Sequence, residues 1–174
     1  MSKLSCAVIG CHPTRFKFKY QEQNNGCKKI KKVLDRQLRE IYESGVHRFL
    51  VPGTLGVGIW AGELLLRMKE QPEYSELELV MVLPYAGHES AWDSHNKTRL
   101  TFLLCHATDK ITLTGKGSKD YQQTYFYMAE QCEKLVAVCD DPAQDDAGQA
   151  VICARKKGCA VTIIHPDNGK TINS

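Results

Sequence analysis

The chain has 174 residues, 43% apolar and 25% charged, with a formal net charge of +3. That is enough for one domain with its own core; it needs no disulfide staples, and so mild a charge demands no nucleic-acid partner. No run of about 18 apolar residues offers a membrane span, and eight cysteines set mostly in apolar runs, with no C-x-x-C, favour buried free thiols in a reducing cytoplasm over a disulfide framework or a zinc site.

In chain order, residues 4–9 form a short apolar run closed by Gly10, which reads as a central strand. The loop after it, from Cys11 through Phe16 to Tyr20, is long and carries cationic and aromatic side chains at a strand's carboxyl end, where α/β sites lie. Residues 28–44 read as a helix, with Ile30, Val33, Leu34, Leu38, Ile41 and Tyr42 at helical spacing and Gly45 as its stop. Its lysines, Lys28, Lys29, Lys31 and Lys32, read first as a solvated face and second as a patch that steers phosphate.

Residues 46–51 form the second strand and lead into Pro52-Gly53-Thr54-Leu55-Gly56-Val57-Gly58, after which a helix runs to about Glu70. Glycines on a strand-to-helix turn let backbone N–H groups approach a ligand, and the unpaired amides of the helix's first turn favour a phosphate or carboxylate. The spacing matches neither the dinucleotide fingerprint nor a Walker A loop. The third strand, residues 77–83, ends in a polar and aromatic cluster that includes Tyr85, His88, Glu89 and Trp92. Then come a helix over 93–107, a strand over 111–113, and a loop over 115–119 that reads as a loose surface turn rather than a lid. A helix over 121–133, a buried strand over 135–139, an exit through Asp140, a helix over 147–157 and a last strand over 160–164 complete the pattern. The polar tail from about 167 is expected to fray.

Strands alternating with helices, the strands being continuous apolar runs, predict a three-layer Rossmann-like α/β fold. Its sheet would be doubly wound, mainly parallel and about six strands wide, with helices on both faces and a single domain spanning 1–174. The ligand crevice would lie where the loops after strands one, two, three and five meet. There, Gly10, Pro52, Gly53, Thr54, Gly56, Val57 and Gly58 would hold a phosphate, with charge from Arg15 and His12. Tyr85, His88, Glu89, Trp92 and Asp140 lie on the same loops, near the crevice mouth. Trp60 and Trp92 read equally as core fillers or platforms, and Cys11 reads as a partly buried thiol before a reactive one.

Four motifs in this order resemble the SLOG superfamily, and within it the small YpsA-like proteins of bacteria and phages. Gly10-Cys11-His12-Pro13-Thr14-Arg15-Phe16 is similar to its T-G-H-R-P-x-K-L/F motif, with Cys11 and His12 in the His and Arg positions. The stretch from Leu50 to Glu63 resembles S-G-G-A-L-G-V-D-x-W-A-A-E, and that from Leu83 to Trp92 resembles P-F-x-x-Q-E-x-x-W. Met128-Ala129-Glu130, running on to Asp140, resembles the segment M-V-D-x-S-D-x-x-I-A-V-Y-D-G. The chain departs from the pattern at Gly58, where Asp is usual, at Thr124 and Tyr125, where Arg-Asn is common, and at Gly148-Gln149-Ala150 in place of Gly-Gly-Thr.

The resemblance implies a crevice for a nucleotide or nucleotide-derived, ADP-ribose-like ligand, with Tyr85 or Trp92 stacking on a base or ribose and Glu89 or Asp140 accepting from ribose hydroxyls, in a cytoplasmic sensor, sequestering or regulatory protein. The alternative it implies is a LOG-like N-glycosidic phosphoribohydrolase, with Glu63 and Glu89 as the catalytic carboxylates. In that motif a Glu stands on the helix's first turn; here Trp60 takes its place and Glu63 comes roughly 5 Å farther along the axis, which favours binding without turnover. No cofactor, metal or membrane is expected, nor is a nucleic-acid partner, since a strong basic stripe is missing. Apolar helix faces could also build a homodimer or higher homo-oligomer.

Overall fold

The computed structural model describes residues 4–114, 120–141 and 145–174, so the turn-or-lid loop over 115–119 lies outside the described residues. The most buried strand is β1 (Ser5–Gly10), in which every residue is shielded from solvent. A strand buried on both faces like this one is stable only with a partner on each edge and a helix on each face. It pairs in parallel with β2 (Arg48–Pro52) on one edge and β5 (Lys134–Val138) on the other, Ala7 lying opposite both Leu50 and Leu135. Outward from β2 come β3 (Glu78–Leu83) and β4 (Asp109–Thr112); outward from β5 come β6 (Ala160–Ile164) and β7 (Thr171–Asn173). The order is β4-β3-β2-β1-β5-β6-β7, parallel except for β7.

The expectation of about six strands is thus exceeded by one. The tail past Pro166 does not fray: Gly169 adopts φ +72°, and hydrogen bonds between His165 and Lys170 and between Val161 and Ser174 turn it back along β6 as an antiparallel edge strand. Polar residues suit an edge that water can reach, which is why no apolar run marked it. For the same reason β4 starts at Asp109, two residues before the apolar run.

Among the described residues five α-helices connect the strands. Helix α1 (Asn25–Glu43) is capped by the Asn24 side chain accepting from the Gly26 amide at 2.8 Å, and it buries Cys27, Ile30, Leu34, Leu38 and Ile41 at helical spacing. Helix α2 (Val57–Lys69) is apolar on more than one side because α1 and α3 (Ser94–His106) both pack on it while it lies over β1, β2 and β3. Helix α4 (Asp120–Gln131) packs along α5 (Asp146–Lys157), which Asp145 caps and Gly158 ends at φ +92°. Right-handed crossovers put α1, α2 and α3 on one face and α4 and α5 on the other. Chain order steps from β1 outward to β4 and then returns to β5 on the other side of β1. The switch point where a crevice opens is therefore between the carboxyl ends of β1 and β5.

Candidate functional site

A cavity of about 170 Å³ opens at that switch point. Gly10, Cys11, His12 and Pro13 line it from the end of β1, and Thr54 and Leu55 from the loop after β2. Trp92 comes from the loop after β3, Tyr121 and Tyr125 from α4, and Asp145, Asp146 and Ala147 from the start of α5. The loops predicted to converge do converge, and two helix N-termini join them.

The turn after β2 is a backbone cradle. The Gly53 amide donates to the Val82 carbonyl at 2.9 Å, and hydrogen bonding resumes at Ile59, which donates to Thr54 O at 3.1 Å, and Trp60, which donates to Gly56 O at 3.0 Å. Between them, the amides of residues 54–58 meet no acceptor among the described residues. Five successive donors at a helix N-terminus form a region of positive potential suited to an anion. Gly56 caps the helix at φ +82°, a conformation that L side chains rarely adopt. At Gly58 a Cβ would run into the Pro52 carbonyl and come within 2.7 Å of Thr54 Oγ1, so a side chain such as Asp does not fit here.

Two side chains brace the cradle. His88 is buried, with Nε2 2.5 Å from Gly53 O; a carbonyl only accepts, so Nε2 carries the proton. Its Nδ1 lies 3.3 Å from Glu89 Oε2, off hydrogen-bond geometry, and has no hydrogen-bond partner. Trp92, Tyr85 and Tyr121 meet the His88 ring edge-on at 5.4, 6.1 and 6.3 Å. The buried Tyr125 hydroxyl donates to Gly10 O at 3.1 Å, and burial raises its pKa despite a hydrogen bond with Thr54. Tyr125 thus ties α4 to both β1 and the cradle.

The opposite wall is acidic. Asp145 accepts from the Gly148 amide at 2.8 Å as the α5 cap, while desolvation and the neighbouring Asp145 charge raise the Asp146 carboxyl above its ordinary value. Burial, followed by Asp145, pushes the Cys11 thiol up to about 12, so it stays protonated at neutral pH and is no ready nucleophile.

Several expected residues lie elsewhere, each for a definable reason. Arg15 is spent on carboxylates: Nε and Nη2 bind Asp140 at 2.6 Å each, and both Nη atoms reach Asp167 at 3.2 Å. It and Asp140 pin the 3₁₀ turn Pro13–Arg15 to the end of β5, and neither lines the cavity. The same hydrogen bonds hold the Asp140 and Asp167 carboxyls below their ordinary values. His12 does line the cavity, but its Nδ1 accepts from the Thr14 amide at 3.3 Å and sits 2.9 Å from Thr14 Oγ1, capping that turn.

Glu63 forms a two-pronged ion pair with Arg99 at 2.6 and 3.1 Å, between α2 and α3 and outside the cavity. Glu89 and Tyr85 touch His88 without lining the cavity; Trp92 lines it, while Trp60 is core, under Phe16 at 5.3 Å and Phe18 at 6.2 Å. Of the turn after β2 only Thr54 and Leu55 line the cavity, whereas Pro52, Gly53, Gly56, Val57 and Gly58, like His88, are not in its lining; sequence reasoning missed Pro13, Tyr121, Tyr125, Asp145, Asp146 and Ala147 as ligand contacts. Two signals for them existed: tyrosines four apart share a helix face, and an Asp three residues before a glycine can cap a helix.

Among the described residues no cluster of His, Cys, Asp and Glu could hold a metal ion, and no helix is long and apolar enough to cross a membrane. The profile of the YspA SLOG family matches residues 6–167, and the chain belongs to that family. A UPF0398 protein of Bacillus cereus strain G9842 is 30% identical over 156 residues, covering 87% of this chain and 83% of its own. Another from Bacillus thuringiensis strain Al Hakam is 28% identical over 155 residues with the same coverage. Among solved structures, this fold is similar to DNA processing protein A from Helicobacter pylori, reported for its single-stranded DNA binding mode. The TM-score is 0.59 at 14% identity, and the match covers 93% of this chain but only 65% of that one. That finding overturns the exclusion of nucleic acid made from charge: a protein of this fold binds single-stranded DNA, so a mild net charge does not rule such a partner out.

Proposed function

We propose that this SLOG chain binds a nucleotide or nucleotide-derived ligand of ADP-ribose type in the crevice between β1 and β5, without turning it over, as a cytoplasmic sensor or regulatory protein. The observation that carries the reading is the row of amides at residues 54–58 with no acceptor among the described residues, whose first two residues, Thr54 and Leu55, line one small cavity together with Asp145 and Asp146. Amides hold a phosphate through fixed dipoles, and carboxylates accept from ribose hydroxyls, so the two walls match the two ends of a ribose phosphate. At about 170 Å³ the cavity is smaller than the roughly 300–1,000 Å³ that encloses a drug-sized ligand, so a base would extend outward along Trp92 and Tyr121. Binding without hydrolysis is supported by Glu63, whose carboxylate is held by Arg99 outside the cavity.

A second reading, a single-stranded DNA end in the same crevice, is favoured by the likeness to DNA processing protein A and by the two aromatic rings at the rim. The test is incubation of the protein with AMP, NAD, ADP-ribose, cyclic ADP-ribose and a short oligothymidylate, followed by melting and mass analysis of each ligand. A raised Tm with the small ligand recovered intact, lost in Asp146→Asn, is the expected result. Stabilisation by the oligonucleotide alone would move the assignment to DNA, and release of free base with ribose phosphate would replace binding by hydrolysis.

A further inference from the structure

The outer face between α1 and α2 carries a groove of about 390 Å³, none of whose residues lines the crevice. Its acids are already committed: Asp35 pairs with Arg39 at 2.8 Å, and Glu63 with Arg99 at 2.6 Å. Its cations outnumber them. Lys31 pairs with Glu22 at 2.8 Å, but Lys28, Lys32 and Arg67 meet no carboxylate among the described residues. The groove is therefore left with uncompensated positive charge in a chain whose whole net charge is +3.

Helix electrostatics do not explain this arrangement. Lys28, Lys29, Lys31 and Lys32 occupy the first two turns of α1, where the helix dipole is positive, and the first turn holds no acidic residue. Those lysines oppose the dipole, whereas Arg67, in the last turn of α2, agrees with it. A second, independent observation sits in the groove wall. Trp60 is 2% exposed, with the Lys31 ammonium 5.5 Å from its ring centre, yet its indole N–H is buried without a hydrogen-bond partner. A buried donor left unpaired is costly, which sets Trp60 apart from an ordinary core filler of this wall.

We infer that the α1/α2 groove is a second anion site, taking the phosphate groups of an oligophosphate or phosphodiester ligand. The Lys28 and Lys32 ammonium groups and Arg67 supply the charge, and Trp60 forms the wall beside them. The ammonium groups are point charges on flexible stems, so they follow a ligand rather than impose one geometry.

The test uses Trp92→Phe protein, which leaves Trp60 as the sole tryptophan of the two. At constant ionic strength, sodium tripolyphosphate and a short oligothymidylate are titrated separately while Trp60 emission is read. A saturable change is expected with at least one of them, and Lys28→Glu with Lys32→Glu should raise the dissociation constant about tenfold. Both lysines are exposed, so the double variant should melt like its parent; should it not, Lys28→Gln with Lys32→Gln replaces it. Saturation by tripolyphosphate identifies free phosphate as the source, and saturation by the oligonucleotide alone identifies a strand; either supports the site. No change with either ligand, or an unaltered midpoint in the double variant, overturns it.

Discussion

The crevice and the outer groove both offer positive potential, but they are built from different materials. In the crevice the donors are backbone amides fixed by Gly56 at φ +82° and by close contact between Gly58 and the Pro52 carbonyl. In the groove they are lysine and arginine side chains with rotamer freedom left to lose. Fixed dipoles need no reorganisation and select by shape; mobile charges select by valence and are screened by salt. If both proposals hold, one chain carries a site that geometry makes specific beside one that charge makes permissive.

The largest expected effect comes from breaking the crevice side of this contrast. Gly58→Asp forces a side chain into the Pro52 carbonyl and should cost about 2–3 kcal/mol of stability, as overpacking does. Calorimetry should show a Tm lower by several degrees, and ADP-ribose should give no further shift while the Trp60 response to tripolyphosphate survives. Intact ADP-ribose binding in that variant would show that the cradle is not the phosphate site.

Glu22 links the groove to the core, bridging Lys31 at 2.8 Å and Arg99 at 2.6 Å. Burial alone would raise its carboxyl, but hydrogen bonds from Arg99 and Lys31 prevail and hold it down at about 2. A carboxyl depressed in the folded state stabilises fully above its unfolded value of 4.5, and that contribution fades as pH falls toward about 2. Glu22→Gln should therefore lower stability at neutral pH by about 1–2 kcal/mol and flatten the fall of Tm through that acid window. It should also tighten tripolyphosphate binding by releasing Lys31, and an unchanged acid limb would count against the bridge.

A smaller effect sharpens the comparison through salt. Between about 50 and 200 mM NaCl, tripolyphosphate affinity at the groove should drop about tenfold, while ADP-ribose affinity at the crevice changes much less. Parallel calorimetric titrations check this, and equal slopes would erase the distinction. The smallest effect is that of Tyr125→Phe, which removes the hydroxyl bonded to Gly10 O and should cost about 1 kcal/mol. Urea melts would register it, with crevice affinity weakened and groove affinity unchanged.

Much of the crevice was legible because its signals are local. Apolar runs located six strands, and the turn from Pro52 to Gly58 announced a cradle through residues adjacent in the chain. What failed was pairing at long range. Arg15 looked available for a phosphate, but nothing local signals that Asp140 and Asp167, more than a hundred residues away, would consume it. Glu63 looked like a displaced catalytic acid until α3 brought Arg99 against it. Tyr125 reads from sequence as a departure from the family motif on a helix, and becomes a brace once the return from β4 to β5 carries α4 across the sheet.

Periodicity, glycine placement and apolar runs are properties of neighbouring residues, so the sequence by itself determined the α/β alternation, the parallel sheet and the edge of it that opens into a crevice. Ion pairing, the burial of Trp60 and the acidic wall from α5 depend on which distant segments meet. Only the tertiary structure could decide which charges are already neutralised and which are left facing outward for a ligand.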